Sequence, residues 1–504
     1  MRLSLNKKLS FDLIKLSSPI ILGMVFQTAV NLADTIMVGY MEDEIVSVAG
    51  VAAIGITLPL FWLVGGFFSA IAVGTQSLTA RRHGEKNNEL AGRVLFNSLT
   101  IAYSMGIIFS ILGALAIPYI FPFFNSNPEV LKVGIPYAQL RFLGVMSMVA
   151  TISYKAFFDG TGKTYVHMIA SIVMNFSNVA LNALLIFGLW GFPELGVFGA
   201  GLGSLIASHI GLFMILGWSF LPSIRNKFKY YRKKNFNPFV IKEIIRLSLP
   251  GGLATVFVTS GFLLFLKIVG LIDRMEWLAT FPTDALAQLN TIMNSGLSDG
   301  NGSNLMNMLV GLVPAVDNIA VNLRPPIYTA GTKVVFDLMS LSFMTAIAIG
   351  TATATFVSKN LGKNDPRTAE SYGWEAVRIA FYLLGFLGLL EVAFPHFFLG
   401  LFTDKEVVIN AAVNSLRIVG AVNGMIGAGL VFMNCLFGAG NAKFVMYVEM
   451  ILHFGLLVPL AYVFGVVFDL RLEGVWLAAG CYVVILASIL GWKFWQGKWK
   501  YIKI

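Results

Sequence analysis

Residues 14–39 read IKLSSPIILGMVFQTAVNLADTIMVG, and residues 245–270 read IRLSLPGGLATVFVTSGFLLFLKIVG. Laid over one another at an offset of 231, eleven of the 26 positions are identical, among them Leu16/Leu247, Ser17/Ser248, Pro19/Pro250, Val25/Val256 and Gly39/Gly270. Each stretch is long and apolar enough to cross roughly 30 Å of hydrocarbon as a helix. A membrane helix that occurs twice points to a duplicated bundle. The echo continues: residues 70–75 fall on 346–351 and Leu140-Arg141 on Leu416-Arg417 at an offset of 276, while Gly160-Thr161-Gly162 meets Gly438-Ala439-Gly440 and Gly196-Val197 meets Gly474-Val475 at 278.

Composition agrees. Of 504 residues 57% are hydrophobic and 12% charged, about half the roughly 25% usual for soluble domains. Mean hydropathy is +0.77, with 42 Phe, 20 Met and 50 Gly. These figures exclude a soluble domain, intrinsic disorder and a disulfide scaffold. Cys435 and Cys481 both fall in apolar runs without motif spacing and read as packing residues. Apolar stretches of spanning length can be drawn at 12–39, 48–80, 94–122, 134–158, 164–190, 196–222, 242–270, 328–357, 374–402, 408–437, 443–468 and 473–496. The fold class is therefore all-α and polytopic: twelve transmembrane helices in two six-helix lobes of the same orientation. The first apolar run is too long for a cleavable signal and is expected to remain as helix 1.

The net charge of +10 raises the question of nucleic acid, and placement answers it. With the amino terminus inside, 27 of the 36 basic residues fall on one side, including Arg81, Arg82, Lys155, Lys163, the run from Arg225 to Lys234, and Lys493 to Lys503. The opposite loops are acidic, as at Glu42-Asp43-Glu44 and Asp404/Glu406. The surplus is thus a topology signal: both termini cytoplasmic in a plasma membrane, or the inner membrane of a bacterium, with no nucleic-acid partner. The domains expected are 1–222, a basic cytoplasmic linker 223–241, and 242–504. The change of offset from 231 to 276 puts about 45 extra residues between helices 7 and 8, read as an external insertion over 271–326.

Ionisable groups at membrane depth cost about 2.5 to 3.5 kcal/mol or more and are kept when paired, solvated or functional. Asp34, with Asn31 about one turn before it, is the foremost case. Burial among uncharged neighbours penalises its charged form, so it is expected to exchange a proton. Lys267 near the outer end of helix 7, Glu391 in helix 9, and Glu449 with His453 at i, i+4 in helix 11 are secondary polar candidates. Arg141 and Arg417 occupy equivalent places and read as structural. Pro19 and Pro250 permit bending of helices 1 and 7. There is no P-loop, zinc-ligand spacing or haem motif, and Gly296-Leu-Ser-Asp-Gly300 lacks the strand-to-helix turn of a nucleophile elbow, so neither ATP-driven transport nor an enzyme is expected.

Four elements in order carry a family resemblance: Pro19 with Asn31-Leu-Ala-Asp34-Thr-Ile-Met-Val-Gly39, Gly160-Thr-Gly-Lys163-Thr164, Gly196-Val-Phe-Gly-Ala-Gly201, and Phe437-Gly-Ala-Gly-Asn-Ala-Lys443. The chain resembles the multidrug and toxic compound extrusion (MATE) family over nearly its whole length. The resemblance implies two lobes around a cavity that opens alternately inward and outward. It implies export of small organic, often cationic, compounds against proton or sodium entry. It carries the coupling site onto Asp34, with Asn178 and Asn182 on helix 5 and Ser204 on helix 6. Asn182 stands where the family has a second acid, which favours H⁺ over Na⁺ as the driving ion. No other cofactor is implied, and a monomer embedded in lipid is expected. The chain departs from the family at Arg81 and Lys359, where a Gln is common, and in having no acid within the membrane-depth part of helices 7 and 10, where some members place one. A flippase for a lipid-linked sugar precursor, from the same superfamily, is the alternative function.

Overall fold

The computed structural model describes residues 6–124, 127–279, 327–403 and 405–504, with the side chains of 28–33, 35, 44, 48, 62 and 277–279 left aside. Every regular element among them is helical. This is what lipid demands, since a backbone N–H or C=O without a partner costs several kcal/mol in hydrocarbon and a helix pairs them internally. Twelve helices are long and apolar enough to cross a membrane. They are α1 (Lys7–Gly39), α2 (Glu44–Ser69, resuming as Ile71–Gly84), α3 (Asn88–Phe124), α4 (Pro128–Leu143, resuming as Val145–Gly160), α5 (Thr164–Phe187), α6 (Gly196–Ser219), α7 (Pro238–Ala279), α8 (Ile327–Gly362), α9 (Pro366–Ala393), α10 (Glu406–Gly438), α11 (Ala442–Val467) and α12 (Arg471–Trp495). The helices anticipated from sequence are all present.

One boundary is corrected. Residues 271–279, assigned above to the external insertion, continue α7. Asp273 explains why: its carboxylate accepts the backbone N–H groups of Tyr328 (2.8 Å) and Thr329 (2.9 Å), satisfying orphan donors at the start of α8. Extending α7 thus supplies the cap of the next helix. The rest of that insertion, 280–326, lies outside the described residues.

The duplication is visible in the turns. Lys86 and Asn364, 278 positions apart, both adopt left-handed backbone (φ 61° and 57°), as do Gly162 and Gly440 (φ 80° and 89°) at the same offset. Hydrophobic packing follows the halves, with one exchange. The core around Leu95, Tyr154, Phe157 and Phe228 also takes in Ile244 and Leu247 of α7, and the core around Val357, Phe432, Cys435 and Phe494 takes in Leu13 of α1. Each half therefore lends the first turns of its first helix to the other. Polar contacts secure the exchange: the Tyr372 hydroxyl donates to Asp12 (2.8 Å) and the Gly74 N–H to Ser248 Oγ (3.3 Å).

Both ends of the described chain lie at one face of the bundle, where the Asn6 N–H donates to Glu375 (2.6 Å) and Arg81 donates to the carbonyl of Ile502 (2.7 Å). At this terminal face the halves are sealed. Gln76 Nε2 donates to the Thr351 carbonyl and to Thr355 Oγ1 (2.8 Å each), and Ser358 donates to the Ser77 carbonyl (2.6 Å). Below them α2 and α8 touch backbone to backbone and crosswise. A Cβ on Gly84 would collide with the Lys359 carbonyl, and one on Gly362 with the Arg81 carbonyl. Replacing Gly84 with Val should therefore prop this face open. Spin labels at the exposed positions Lys86 and Lys363 report it: a longer distance distribution in Gly84→Val is expected, and an unchanged one would show that the glycine contact does not hold the seal.

Candidate functional site

Above the seal lies a cavity of about 480 Å³, within the roughly 300–1,000 Å³ range of small-molecule pockets. It is enclosed chiefly by α1, α2, α4, α5 and α6, with Met344, Ile347 and Thr351 of α8 closing the other side. Gln76 and Thr351 belong both to its lining and to the seal, so the floor of the cavity is the contact between halves.

Asp34 reaches this cavity from α1 and is buried, with 7% of its surface exposed. Its Oδ1 accepts a 2.7 Å hydrogen bond from Asn182 Nδ2, and one turn earlier on α5 Asn178 Nδ2 donates to Ser204 Oγ at 3.0 Å. Four residues expected to form one site are thus brought together on α1, α5 and α6. The side chain of Asn31, the fifth, lies outside the described residues. The amide oxygens of Asn178 and Asn182 have no hydrogen-bond partner among the described residues, nor has either end of the Asn175 amide. The local sequence explains how α5 and α6 come so close. Gly199 and Gly203 form a small-xxx-small face, and a Cβ on Gly203 would collide with Asn182 Oδ1.

The neighbourhood of Asp34 is not uncharged, which corrects the expectation from sequence. Arg141 of α4, read above as structural, lines the same cavity, exerts the charge felt at Asp34, and lays its guanidinium 4.9 Å from the centroid of the Phe61 ring. Deeper in the same cavity Lys155 Nζ donates to Ser171 Oγ (2.8 Å), and His167 Nδ1 meets Asp159 Oδ2 at 2.9 Å. Lys155 is therefore a cavity residue and not one of the loop charges it was counted with. The signal was available, since Lys155 and Asp159 stand at i, i+4 amid Tyr154, Phe157 and Phe158, which places them within a buried helix.

The remaining candidates lie apart from this cavity. Lys267 is exposed on α7 and does not meet Asp34. Glu391 is buried and accepts a hydrogen bond from Asn423 Nδ2 (3.2 Å), which also reaches Ser342 (3.0 Å). Glu449 and His453 do pair, at 3.2 Å, with the Tyr482 hydroxyl donating to the same carboxylate at 2.8 Å. Pro19 and Pro250 sit inside helices that run on without a break.

A duplicated twelve-helix bundle enclosing a largely apolar cavity with a few buried charged and amide side chains defines a polytopic membrane protein of the transporter type. Comparison with known proteins is specific. Residues 19–184 and 303–463 match the MatE profile, and the chain belongs to the MATE family. It is 24% identical over 483 residues to the probable multidrug resistance protein YoeA of Bacillus subtilis, covering 96% of this chain and 92% of that one. It is 23% identical to the probable multidrug resistance protein NorM of Thermotoga maritima, covering 97% and 93%. The fold superposes with a TM-score of 0.80 on a structure described as the outward-facing conformation of a multidrug resistance MATE family transporter, at 21% identity over 98% of this chain and 97% of that one.

The packing of Gly203 against Asn182 makes a stability prediction. Gly203→Ala should destabilise the protein by about 1–3 kcal/mol through overpacking, and by clearly less in an Asn182→Ala background. Melting temperatures of the four detergent-solubilised proteins would check it; equal losses in both backgrounds would refute the contact.

Proposed function

We propose that the chain is a proton-driven antiporter that exports small organic compounds, cations prominent among them, by alternating access. The observation that carries this reading is Asp34: a buried carboxyl facing a cavity of drug size, held by Asn182 and lying under the field of Arg141. The names of the relatives support the drug class, and none of those quoted supports a flippase.

The electrostatics favour exchange. The cavity holds Asp34, Asp159, Arg141 and Lys155, whose charges cancel with His167 neutral. Protonating Asp34 leaves the cavity one charge positive, so a proton and an organic cation compete for it. That competition is the differential interaction that coupled exchange requires. Protons fit better than Na⁺. Asn182 turns its NH₂ group toward the carboxylate, so its oxygen is not a ligand there, and a neighbouring guanidinium opposes a bound metal cation. In this reading the terminal face is cytoplasmic in a plasma membrane. The sealed state then receives external protons and releases drug, and helix 1 carries the change in Asp34 to the seal through its turns packed on the opposite half.

Asp34→Asn keeps the size and the hydrogen bonding of the side chain but cannot exchange a proton. Purified Asp34→Asn in liposomes should bind ethidium more weakly than wild type, because its cavity keeps the positive charge of the protonated state, and should show no efflux driven by a pH gradient. Undiminished efflux would sink the assignment, and efflux driven by sodium at fixed pH would transfer the coupling to Na⁺. The orientation has its own test. In intact cells a cysteine at Glu42 should react with an impermeant thiol reagent and one at Lys233 should not; the reverse pattern would invert the topology.

A further inference from the structure

The geometry points to a second proton-binding site in the C-terminal half, formed by Glu449 and His453 of α11 with Tyr482 of α12. This inference rests on the proton-driven reading above and adds to it a site remote from Asp34.

Repeat arithmetic locates the cluster. At the offset of 278 that relates Gly162 to Gly440, Glu449 corresponds to Ser171, His453 to Asn175 and Tyr482 to Ser204. Those three partners all line the Asp34 cavity. On helix 1, by contrast, Asp34 corresponds at the offset of 231 to Phe265 of α7. The C-terminal half has thus lost the acid from its first helix and carries one on its fifth, within the same three-helix grouping. A hydrophobic half that merely dispensed with the site would hold no acid there.

The local structure is that of a group able to gain and lose a proton. Glu449 and His453 each expose 3% of their surface. His453 Nδ1 faces two acceptors, the Glu449 carbonyl at 2.9 Å and its carboxylate at 3.2 Å, so that nitrogen carries the hydrogen and the other is free to take one. With Tyr482 donating at 2.8 Å, the carboxylate accepts one hydrogen bond, lies 3.2 Å from the imidazole nitrogen and is balanced by no fixed cation among the described residues. The surrounding helices supply none. No charged residue occurs on α7 between Arg246 and Lys267, on α10 between Arg417 and the start of α11, or on α12 between Glu473 and Lys493. The titratable groups those helices bring nearby are Tyr482, Cys481 and Cys435. One proton added to this group would therefore leave it without net charge.

Its position lets protonation act on conformation. α11 switches to π-helical winding at His453–Leu457, a local feature frequent at functional sites. Gly261 of α7 packs so closely that a Cβ there would lie 2.7 Å from His453 Cδ2, so any movement of the imidazole is felt by α7. Tyr482 packs against both hydrophobic cores of this half, placing the cluster on the seam along which they would slide.

The test is proton release on ethidium binding by purified protein in weak buffer, read with an indicator dye at ethidium concentrations that saturate each variant. Wild type is expected to release protons from both sites, Asp34→Asn and Glu449→Gln each about half as many, and the double variant none. Wild-type release from Glu449→Gln, or complete loss in Asp34→Asn alone, would overturn the second site and leave Asp34 standing. Normal release from Asp34→Asn with loss in Glu449→Gln would do the opposite, and no release from wild type would sink both. Should Glu449→Gln fail to fold, Asp34→Asn protein can be titrated by infrared difference spectroscopy with and without His453→Gln. A protonated-carboxyl band that moves with His453→Gln supports the site, and the absence of such a shift overturns it.

Discussion

The structure depends on two carbonyl groups, those of Lys359 and Arg81, each resting against a glycine of the opposite half. Gly84 and Gly362 stand 278 positions apart, the repeat offset, so this is one contact made twice about the pseudo-symmetry axis. Only without side chains can α2 and α8 approach so far. Their approach brings Gln76 within reach of Thr351 and Thr355, and those bonds make the floor of the cavity. Were α2 and α8 held apart by a methyl group, the hydrogen bonds above would lose their partners together. The seal is therefore cooperative, as a gate between two states has to be.

The exchange of helix ends explains how a distant site can act on this gate. The turns of α1 around Leu13 pack in the C-terminal core, while Asp34 faces α5 of its own half. On the reading proposed above, a change in charge at Asp34 would alter how its part of α1 sits against α5, and the same helix carries Leu13 and Asp12 into contact with the opposite half. α7 repeats the arrangement in reverse through Ile244 and Leu247. Each half thus holds one rigid lever embedded in the other, a contiguous element whose equilibrium the site can bias.

Much of this was legible in the sequence because lipid narrows the choices. Twelve apolar runs had to be helices, and the shared motifs of α1 and α7 had to mean duplication. The pairing of Asp34 with Asn182 was reached through resemblance, and the spacing of Asn178 and Asn182 at i, i+4 puts both on one face of α5. What was not legible concerns depth and rotation. Counting Lys155 among cytoplasmic charges followed the positive-inside rule, which tallies residues near helix ends and cannot tell a loop lysine from one turned into a cavity. Arg141 lines the cavity of Asp34 from an α4 that is interrupted at Gly144, where Ser110 of α3 donates to the Leu143 carbonyl and accepts the Met146 N–H. Such an interruption resets the rotation of the helix, and no periodicity announces it. The change of repeat offset could not show that α7 runs on past residue 270, where Asp273 serves to cap α8.

The two halves have kept a common frame and diverged in charge. In the N-terminal half an acid stands on helix 1 beside a cavity, with Arg141 and Lys155 for company; in the C-terminal half one stands on helix 11, buried against a histidine and a tyrosine. A carboxylate that must meet a bulky organic cation needs space beside it, and the cavity at Asp34 provides it. One that exchanges only a proton needs none, because a hydrogen-bonded imidazole and phenol can pass a proton through a packed core. On the proton-driven reading proposed above, the asymmetry would be a division of labour: substrate and proton compete in one half, while in the other a site too tight for substrate responds to the proton alone.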